Sequence, residues 1–178
     1  MADDAPASIL YLDPFHGGSH AAVACGLARH SRRTVRLVTL PARAWKWRMR
    51  GAALWFAAEL RARPPAVAGI DTPSGIGAIV TTDMLSAADL RALLPAPLAA
   101  LPLAVYFHEN QLTYPDRRAE PRDLHFAFTN ITSALAADAI WFNSDFHRQA
   151  FLTAVPELLA RMPDHRPRDV RATLEQRS

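Results

Sequence analysis

Short apolar runs alternate with alanine-rich or amphipathic segments along the whole chain. The apolar runs have the length and composition of buried strands and lie at 8–13, 34–39, 78–82, 103–107 and 139–142. The segments with helical composition lie at 21–29, 50–61, 122–137, 145–154, 156–162 and 167–176, with a further short one that opens at 86. Because strands that are apolar on both faces must be covered on both faces, this alternation predicts an α/β fold with a doubly wound, Rossmann-like parallel sheet.

Periodicity and capping signals refine two of the helical segments. In the second segment a period of 3.6 residues places Leu54, Trp55 and Ala58 on the buried side, together with Leu60. Ser19 stands just before the first segment and is the expected N-cap, because its hydroxyl can accept a hydrogen bond from a free helical N–H group.

Length and composition are those of one globular domain that spans residues 1–178. Half of the 178 residues are hydrophobic (50%) and 21% are charged, a balance that permits a substantial core and argues against disorder. No stretch reaches the roughly 18 uninterrupted apolar residues of a membrane-spanning helix, and the first residues lack the layout of a secretory signal. A single cysteine, Cys25, excludes an internal disulfide. We therefore expect a cytoplasmic domain with no membrane partner.

The charge is unevenly distributed along the chain. The formal net charge is +3, yet the stretch 29–63 holds ten Lys and Arg residues and one acid, Glu59. This stretch therefore carries +9 and the remainder of the chain −6. A local basic face of this kind is a candidate for contact with a polyanion.

Polar and unusual residues follow four of the five predicted strands. In doubly wound sheets ligands bind beyond the carboxyl ends of the strands, so we expect these residues to share one site. After the first and second strands come His16, Gly17, Gly18, Ser19 and His20, and then Trp45, Lys46, Trp47 and Arg48; after the fourth and fifth come His108, Glu109, Asn110 and Gln111, and then Asn143, Ser144 and Asp145.

Gly17 and Gly18 lead into a predicted helix, where free N–H groups favour an anion such as a phosphate. Their spacing from Gly26 does not fit the dinucleotide pattern G-x-G-x-x-G, and the chain contains neither a P-loop nor a G-x-S-x-G serine-hydrolase elbow. A tight turn without any ligand is an equally good interpretation of the two glycines at this point.

His108, at the end of an apolar strand and followed by Glu109, is the leading candidate for catalysis. A histidine in such a place can orient or protonate a substrate, and a hydrogen-bonded structural histidine is the open alternative. A metal site built from His16, His20, His108 and Glu109 would lack any known helical ligand spacing, so we expect no metal.

The run of Trp45, Lys46, Trp47, Arg48 and Arg50 combines indole rings with cations inside the basic stretch. Side chains of these two kinds together can stack on bases and hold phosphates. The alternative is that one tryptophan belongs to the core and the arginines form a solvated face.

Five strings in the chain carry a specific resemblance. They are FHGGSH at 15–20, LPARAWKWR at 40–48, YFHENQLTYP at 106–115, WFNS at 141–144 and MPDHRP at 162–167. In this order, and over nearly the whole chain, the sequence resembles the N-terminal domain of the tRNA-queuosine α-mannosyltransferases, which are glycosyltransferase-like proteins of the GT-B type. The segment 63–75 matches this family poorly.

The resemblance implies a retaining enzyme that transfers mannose from GDP-mannose to a hydroxyl of queuosine in tRNA, without a metal or other cofactor. By position, Gly17 and Gly18, with Ser19 and His20 beside them, would face the donor phosphates, and His108 would lie beside the transferred sugar. The residues that would line the acceptor side are Glu109, Asn110, Gln111, Asn143 and Ser144. The residues that would contact the tRNA are Trp45, Lys46, Trp47, Arg48 and Arg50.

The same architecture implies a second α/β domain that supplies most of the nucleotide-sugar site. The 178-residue chain would then be the acceptor-side half of the enzyme, with little or no transferase activity by itself. Two other hypotheses stay open: a stand-alone, non-catalytic RNA-binding module, and a GT-B glycosyltransferase with another donor or acceptor.

Overall fold

The computed structural model of the chain describes residues 7–67, 69, 71, 75–115 and 123–178. Within these residues five strands form one sheet, and seven helices connect and cover them. The strands are β1 (Ser8–His16), β2 (Val35–Pro41), β3 (Ile76–Thr82), β4 (Leu103–Phe107) and β5 (Ala139–Phe142). The helices are α1 (Gly18–His30), α2 (Trp45–Ala62), α3 (Ala87–Leu93), α4 (Ala96–Ala99), α5 (Leu124–Ala136), α6 (Asp145–Leu159) and α7 (Val170–Arg177).

All described strand pairs are parallel, and the spatial order is β2-β1-β3-β4-β5. The strand β1 is an inner strand of the sheet, since Leu12 is in register with Val38 of β2 on one side and with Thr81 of β3 on the other. The chain moves outward from β1 to β2 and then returns to β3, so the strand order reverses between β1 and β3. In sheets of this order the ligand crevice lies at that reversal, beyond the carboxyl ends of the strands.

The two faces of the sheet carry separate apolar clusters, because successive side chains of a strand point to opposite faces. Leu10 and Leu12 of β1 belong to the larger cluster, which α2, α3, α5, α6 and α7 cover. Tyr11 of β1 belongs to a smaller cluster, to which α1 contributes Ala24 and Leu27. The predicted doubly wound α/β fold is confirmed.

The helix α2 differs from its prediction in both its start and its buried face. It begins at Trp45, whereas the predicted segment begins at 50, so the Trp-Lys-Trp-Arg run forms its first turn. The residue at the N-cap position is Ala44, which has a positive φ of 51° and carries no side-chain cap, so the usual sequence signal for a helix start is missing there.

The prediction that Leu54, Trp55 and Ala58 face the core is wrong, and only Leu60 of that group is buried. The face of α2 that packs inward carries Met49, Ala52, Ala53, Phe56, Ala57 and Leu60. Alanines on this face allow the helix to lie close to its neighbours, and the larger apolar side chains are left outside. Hydrophobicity by itself ranks Leu and Trp above Ala, which is why the sequence pattern indicated the wrong face.

Smaller corrections concern the ends of other helices. The N-cap of α1 is Gly17, so Ser19 lies inside the helix. The helix α6 continues through Pro156, which the sequence pattern placed at the start of a separate segment. The segment predicted at 122–137 is α5, and its first residue lies outside the described residues. In the part of the chain that the structure describes, no helix is long and apolar enough to cross a bilayer.

Candidate active site

Loops from three strands meet around His108 at the carboxyl edge of the sheet. Its imidazole stacks on that of His20 from the β1–α1 segment, with ring centroids 3.7 Å apart and planes inclined by 25°. Its carbonyl oxygen accepts a hydrogen bond of 2.7 Å from the Asn143 amide, which follows β5. In the sequence, polar residues are selected because they directly follow a predicted strand, a criterion that we call the strand-end rule. The structure brings together the residues that this rule selects after β1, β4 and β5.

The ring of His108 is held in a largely apolar aromatic setting. Tyr106 meets it edge-on at a centroid distance of 4.6 Å, and its Nε2 atom is buried with no hydrogen-bond partner among the described residues. Burial, with smaller contributions from nearby His20 and His147, lowers the pKa of His108 to about 3. The imidazole is therefore neutral near pH 7, and it offers hydrogen bonding rather than an acidic proton.

Asp83, directly after β3, fixes the backbone of His108 through a hydrogen bond. The side chain is fully buried, and its Oδ1 accepts a hydrogen bond of 2.9 Å from the His108 backbone N–H. Burial raises the pKa of Asp83 well above its usual range, and the N–H hydrogen bond from His108 offsets part of this rise. Its second oxygen, Oδ2, is buried without a hydrogen-bond partner in the described part of the chain.

Asn130 of α5 connects Asp83 to the loop after β4. Its Nδ2 donates to the backbone oxygen of Asp83 at 3.1 Å, and its Oδ1 accepts from the backbone N–H of Gln111 at 2.7 Å. Asn130 is completely buried, so these bonds replace the ones it would make with water. Together Asp83 and Asn130 hold both ends of the segment from His108 to Gln111.

Glu109 is half-buried and lies next to the amide of Gln111, with 3.4 Å between the Gln111 Nε2 and the Glu109 Oε1. Burial raises the pKa of the Glu109 carboxyl, and the hydrogen bond from Gln111 lowers it in part. A carboxylate whose pKa is raised is a better proton acceptor than an exposed one, which suits it to general-base chemistry.

Asn110 and Asn143 form a hydrogen-bonded network around His147. The Asn110 Nδ2 lies 2.7 Å from the His147 Nε2, and the Asn143 Oδ1 lies 3.0 Å from the His147 Nδ1. With an amide donor on Nε2 and an amide acceptor on Nδ1, the ring is neutral with its proton on Nδ1, and burial lowers the pKa of His147 accordingly. Ser144 caps α6 through a hydrogen bond from the His147 N–H to its Oγ at 3.2 Å.

The β1–α1 segment brings a second buried carboxylate and an open helix start to the site. Asp13 is fully buried and accepts hydrogen bonds from the Phe15 N–H at 3.0 Å and from the His16 Nδ1 at 2.7 Å. At the start of α1 no described side chain caps the helix, so its first N–H groups remain available to an anion.

Glycine is favoured at both positions of this segment, by a close side-chain contact at Gly17 and by the backbone conformation at Gly18. A Cβ atom at Gly17 would lie 2.6 Å from the Cβ of Ala42, which is too close for any other residue. Gly18 has a positive φ of 54°, and both Gly18 and its neighbour Ser19 are exposed to solvent. The turn and the anion site are therefore compatible interpretations of the same two residues.

The first turn of α2 divides between packing and exposure. Trp45 is half-buried against Phe126 of α5, with ring centroids 5.1 Å apart, and Arg48 donates to the backbone oxygen of Pro41 at 3.2 Å. Trp47, in contrast, is 78% exposed. Met49, next in this turn, joins Trp45 and Phe126 in a small cluster that also includes Phe15. Phe15 contacts the His20 ring at 5.6 Å, so this turn adjoins the site without lining it.

Asp83, Asn130, His147 and Asp13 are site residues that the sequence reasoning did not select. The strand-end rule could have selected Asp83, because it directly follows β3. No comparable signal marks Asn130, which lies in the middle of a helix. Among the described residues, no group of three or more His, Cys, Asp or Glu side chains could hold a metal ion.

The fold is that of a Rossmann-like α/β domain, and a hydrogen-bonded polar cluster lies beyond the carboxyl ends of its strands, where domains of this class bind ligands. A family model described as tRNA-queuosine alpha-mannosyltransferase N-terminal matches residues 8–178, and the chain belongs to this family. It is 38% identical over 170 residues to the curated tRNA-queuosine alpha-mannosyltransferase of Drosophila melanogaster. The match covers 95% of this chain and 42% of that relative. The comparison with solved structures found no significant match.

Proposed function

We propose that this chain is the acceptor-side half of a retaining mannosyltransferase that moves mannose from GDP-mannose to a hydroxyl of queuosine in tRNA. The membership of the family and the relative's printed activity support the choice of reaction. The observation that carries the proposal in the structure is the segment from His108 to Gln111, which Asp83 and Asn130 hold at the ligand edge of the sheet.

The start of α1 is proposed to face the donor diphosphate. Gly18 and Ser19 are exposed there, and the free N–H groups of the helix and its dipole both favour negative charge. His20 lies behind them, stacked on His108, so a diphosphate bound at Gly17 and Gly18 would place its sugar beside the His108 ring.

Two residues are proposed to act on the reacting groups. The reaction breaks the anomeric C–O bond to the diphosphate and forms a C–O bond to the acceptor hydroxyl, whose proton must leave. Glu109 is the proposed acceptor for that proton, because burial raises the pKa of its carboxyl. Neutral His108, whose side chain is only half-buried, is proposed to lie beside the transferred sugar and to orient it through the accessible part of its ring.

The remaining residues on the acceptor side are proposed to divide into positioning and contact. Asn110 and Asn143 use their side-chain amides within the network around His147 and His108, so we assign them to holding the loops. Gln111, next to Glu109, and Ser144, which is exposed, are placed to meet the acceptor nucleoside.

The protein that contains this domain is proposed to need more than this chain for transfer. Since the chain spans 42% of the relative's length, we propose that a second GT-B domain supplies most of the nucleotide-sugar site. Transfer then requires both halves and no metal cofactor, takes place in the cytoplasm, and is slow or absent in the isolated chain.

A gel-shift titration against queuosine-bearing and unmodified tRNA tests the proposal. The expected result is binding that weakens as salt is added and that is tighter for the queuosine-bearing tRNA. Salt-dependent binding without that preference would instead indicate a non-catalytic RNA-binding module, and the lack of any tRNA binding would indicate another acceptor. Mannosyl transfer by a version that carries the second domain, measured with GDP-mannose, is the accompanying assay.

A further inference from the structure

The outer face of α2 exposes three large apolar side chains. Trp47 is 78% exposed, Leu54 61% and Trp55 42%, in the described part of the chain. At 100° per residue the three lie within an arc of about 100° on one side of the helix, and the two indoles are about 12 Å apart along its axis. We call these three residues the α2 stripe.

The fold does not require the α2 stripe. The inward face of the helix is complete without it, because Met49, Ala53 and Phe56 are buried there. The exposed side chains therefore forgo the stabilisation that burial would give them, and nothing in the described fold compensates for this loss. Several large apolar side chains exposed on one side of a helix are a mark of an interaction surface, unlike single apolar residues scattered over a protein.

Cations border the α2 stripe on the side that faces α5. Lys46 and Arg50 are both exposed, and they lie over aromatic rings: the Lys46 Nζ is 5.7 Å from the Trp45 ring centroid, and the Arg50 guanidinium is 5.0 Å from that of Phe126. The one acidic residue of α2, Glu59, pairs with Arg63 at 2.9 Å. The surface next to the α2 stripe is therefore positively charged.

We propose that the α2 stripe is a stacking surface for unpaired bases of the RNA substrate, with Lys46 and Arg50 on its phosphates. Aromatic side chains beside cations are complementary to the two parts of a nucleotide, the planar base and the charged phosphate. A second copy of the chain would bring two surfaces of like charge together, which disfavours self-association through this face.

This inference rests on the proposed function, which it extends beyond the site. An enzyme that acts on a nucleoside needs that nucleoside unpaired, and the neighbouring bases then need a place to stack. The start of α2 is close enough to serve, because Trp45, Phe126 and Phe15 pack together and Phe15 contacts His20. The α2 stripe then continues the RNA path away from the site.

A titration of the chain with an unmodified single-stranded RNA oligonucleotide, repeated at several salt concentrations, tests the inference. Trp47→Ala combined with Trp55→Ala is expected to weaken binding by at least tenfold at every salt concentration and to leave the slope of log Kd against log salt unchanged. Lys46→Ala combined with Arg50→Ala is expected to reduce that slope by about 1.4, the value for two phosphate contacts to a single strand.

Trp141→Ala is the matched control, because Trp141 of β5 is 43% exposed, like Trp55, but lies on another element. Its RNA affinity should stay within twofold of wild type, and thermal unfolding should show that every variant is folded. Wild-type affinity in the Trp47→Ala, Trp55→Ala variant would overturn the inference. So would a wild-type dimer that this variant dissociates in sedimentation, which would assign the α2 stripe to a second copy.

The stacking role of the α2 stripe and the mannosyltransferase proposal can fail independently of each other. If the tryptophan variant loses affinity for the oligonucleotide while wild type shows no preference for queuosine-bearing tRNA, the α2 stripe stands and the mannosyltransferase proposal fails. If that preference and mannosyl transfer are found and the tryptophan variant binds like wild type, only the α2 stripe fails.

Discussion

The loop after β4 and the outer surface of α2 are both rich in unusual residues, but they are built in opposite ways. Around His108 the polar groups are removed from water and bonded to one another, and the pKa values of His20, His108 and His147 are lowered while those of Asp83 and Glu109 are raised. On the outer surface of α2, by contrast, Trp47, Leu54 and Trp55 are exposed to water, with the exposed cations Lys46 and Arg50 beside them.

This difference indicates which interactions each region depends on: contacts within the fold for the site, and contacts with a partner for the outer surface of α2. The site holds neutral imidazoles and buried carboxyls whose positions depend on tertiary hydrogen bonds, so a change there should alter both stability and chemistry. The α2 stripe instead stays exposed in the fold and should matter only when a partner covers it.

Replacement of His108 by Ala is expected to have the largest effect. In a version of the protein that carries the second domain, turnover should fall by about a hundredfold or more, because the ring proposed to orient the sugar is lost. The affinity for tRNA should stay within about twofold, since the proposed RNA contacts lie on α2 and at Gln111 and Ser144 rather than at His108. His125→Ala, which changes an exposed histidine of α5, is the control. An unchanged turnover would make His108 a structural histidine.

Asp83→Ala should lower the free energy of unfolding by about 1–3 kcal/mol, because it leaves the buried His108 N–H without its acceptor. Asp83→Asn keeps an acceptor oxygen at that place and should cost clearly less. Urea denaturation measures the two variants, and hydrogen exchange at the His108 amide should be faster in the Ala variant alone. Equal losses in both variants would mean that the hydrogen bond from His108 contributes nothing to stability.

Stability should decrease as the pH falls below about 6.5. The folded pKa values of His20, His108 and His147 are lowered, so the unfolded chain takes up protons in this range that the folded chain refuses. A histidine that stays neutral in the fold while its unfolded form is protonated contributes a slope of at most about 1.4 kcal/mol per pH unit. Asp83 opposes the histidines, because its raised pKa keeps a proton on the folded chain that the unfolded chain loses above about pH 4.

The measurement for this prediction is urea denaturation at intervals between pH 5 and pH 7. His108→Asn should flatten the dependence by about one histidine's share. A slope in His108→Asn equal to that of wild type would show that His108 titrates in the fold much as it does in the unfolded chain.

Local patterns were sufficient to predict most of the elements. The strands β4 and β5 occupy the predicted residues 103–107 and 139–142, because each is a short apolar run bounded by polar residues or turns. Ser86 caps α3 through its hydroxyl, as the capping pattern indicates, with an acceptor distance of 3.2 Å to the Asp89 N–H. These features depend on neighbours within a few residues along the chain.

The location of the site could be predicted from the sequence, but the contacts that hold its residues in place could not. His108 and Glu109 could be selected because they follow a strand, and the same rule extends to Asp83. Asn130, however, bonds to an oxygen 47 residues earlier in the chain, and the pattern of its own helix contains no trace of that bond. The tight contact of Gly17 with Ala42 is likewise invisible until the two segments are placed side by side.

The alternation of strands and helices, the polar residues beyond the strand ends and the resemblance to one family are all visible in the amino-acid sequence. Hydrophobic runs, caps and motifs are local, so they can be recognised along the chain. The buried face of α2, the exposure of Trp47 and Trp55, and the stacking of a neutral His108 ring on His20 depend instead on the tertiary structure. Burial and pKa depend on what surrounds a side chain in space, and distant segments supply those surroundings.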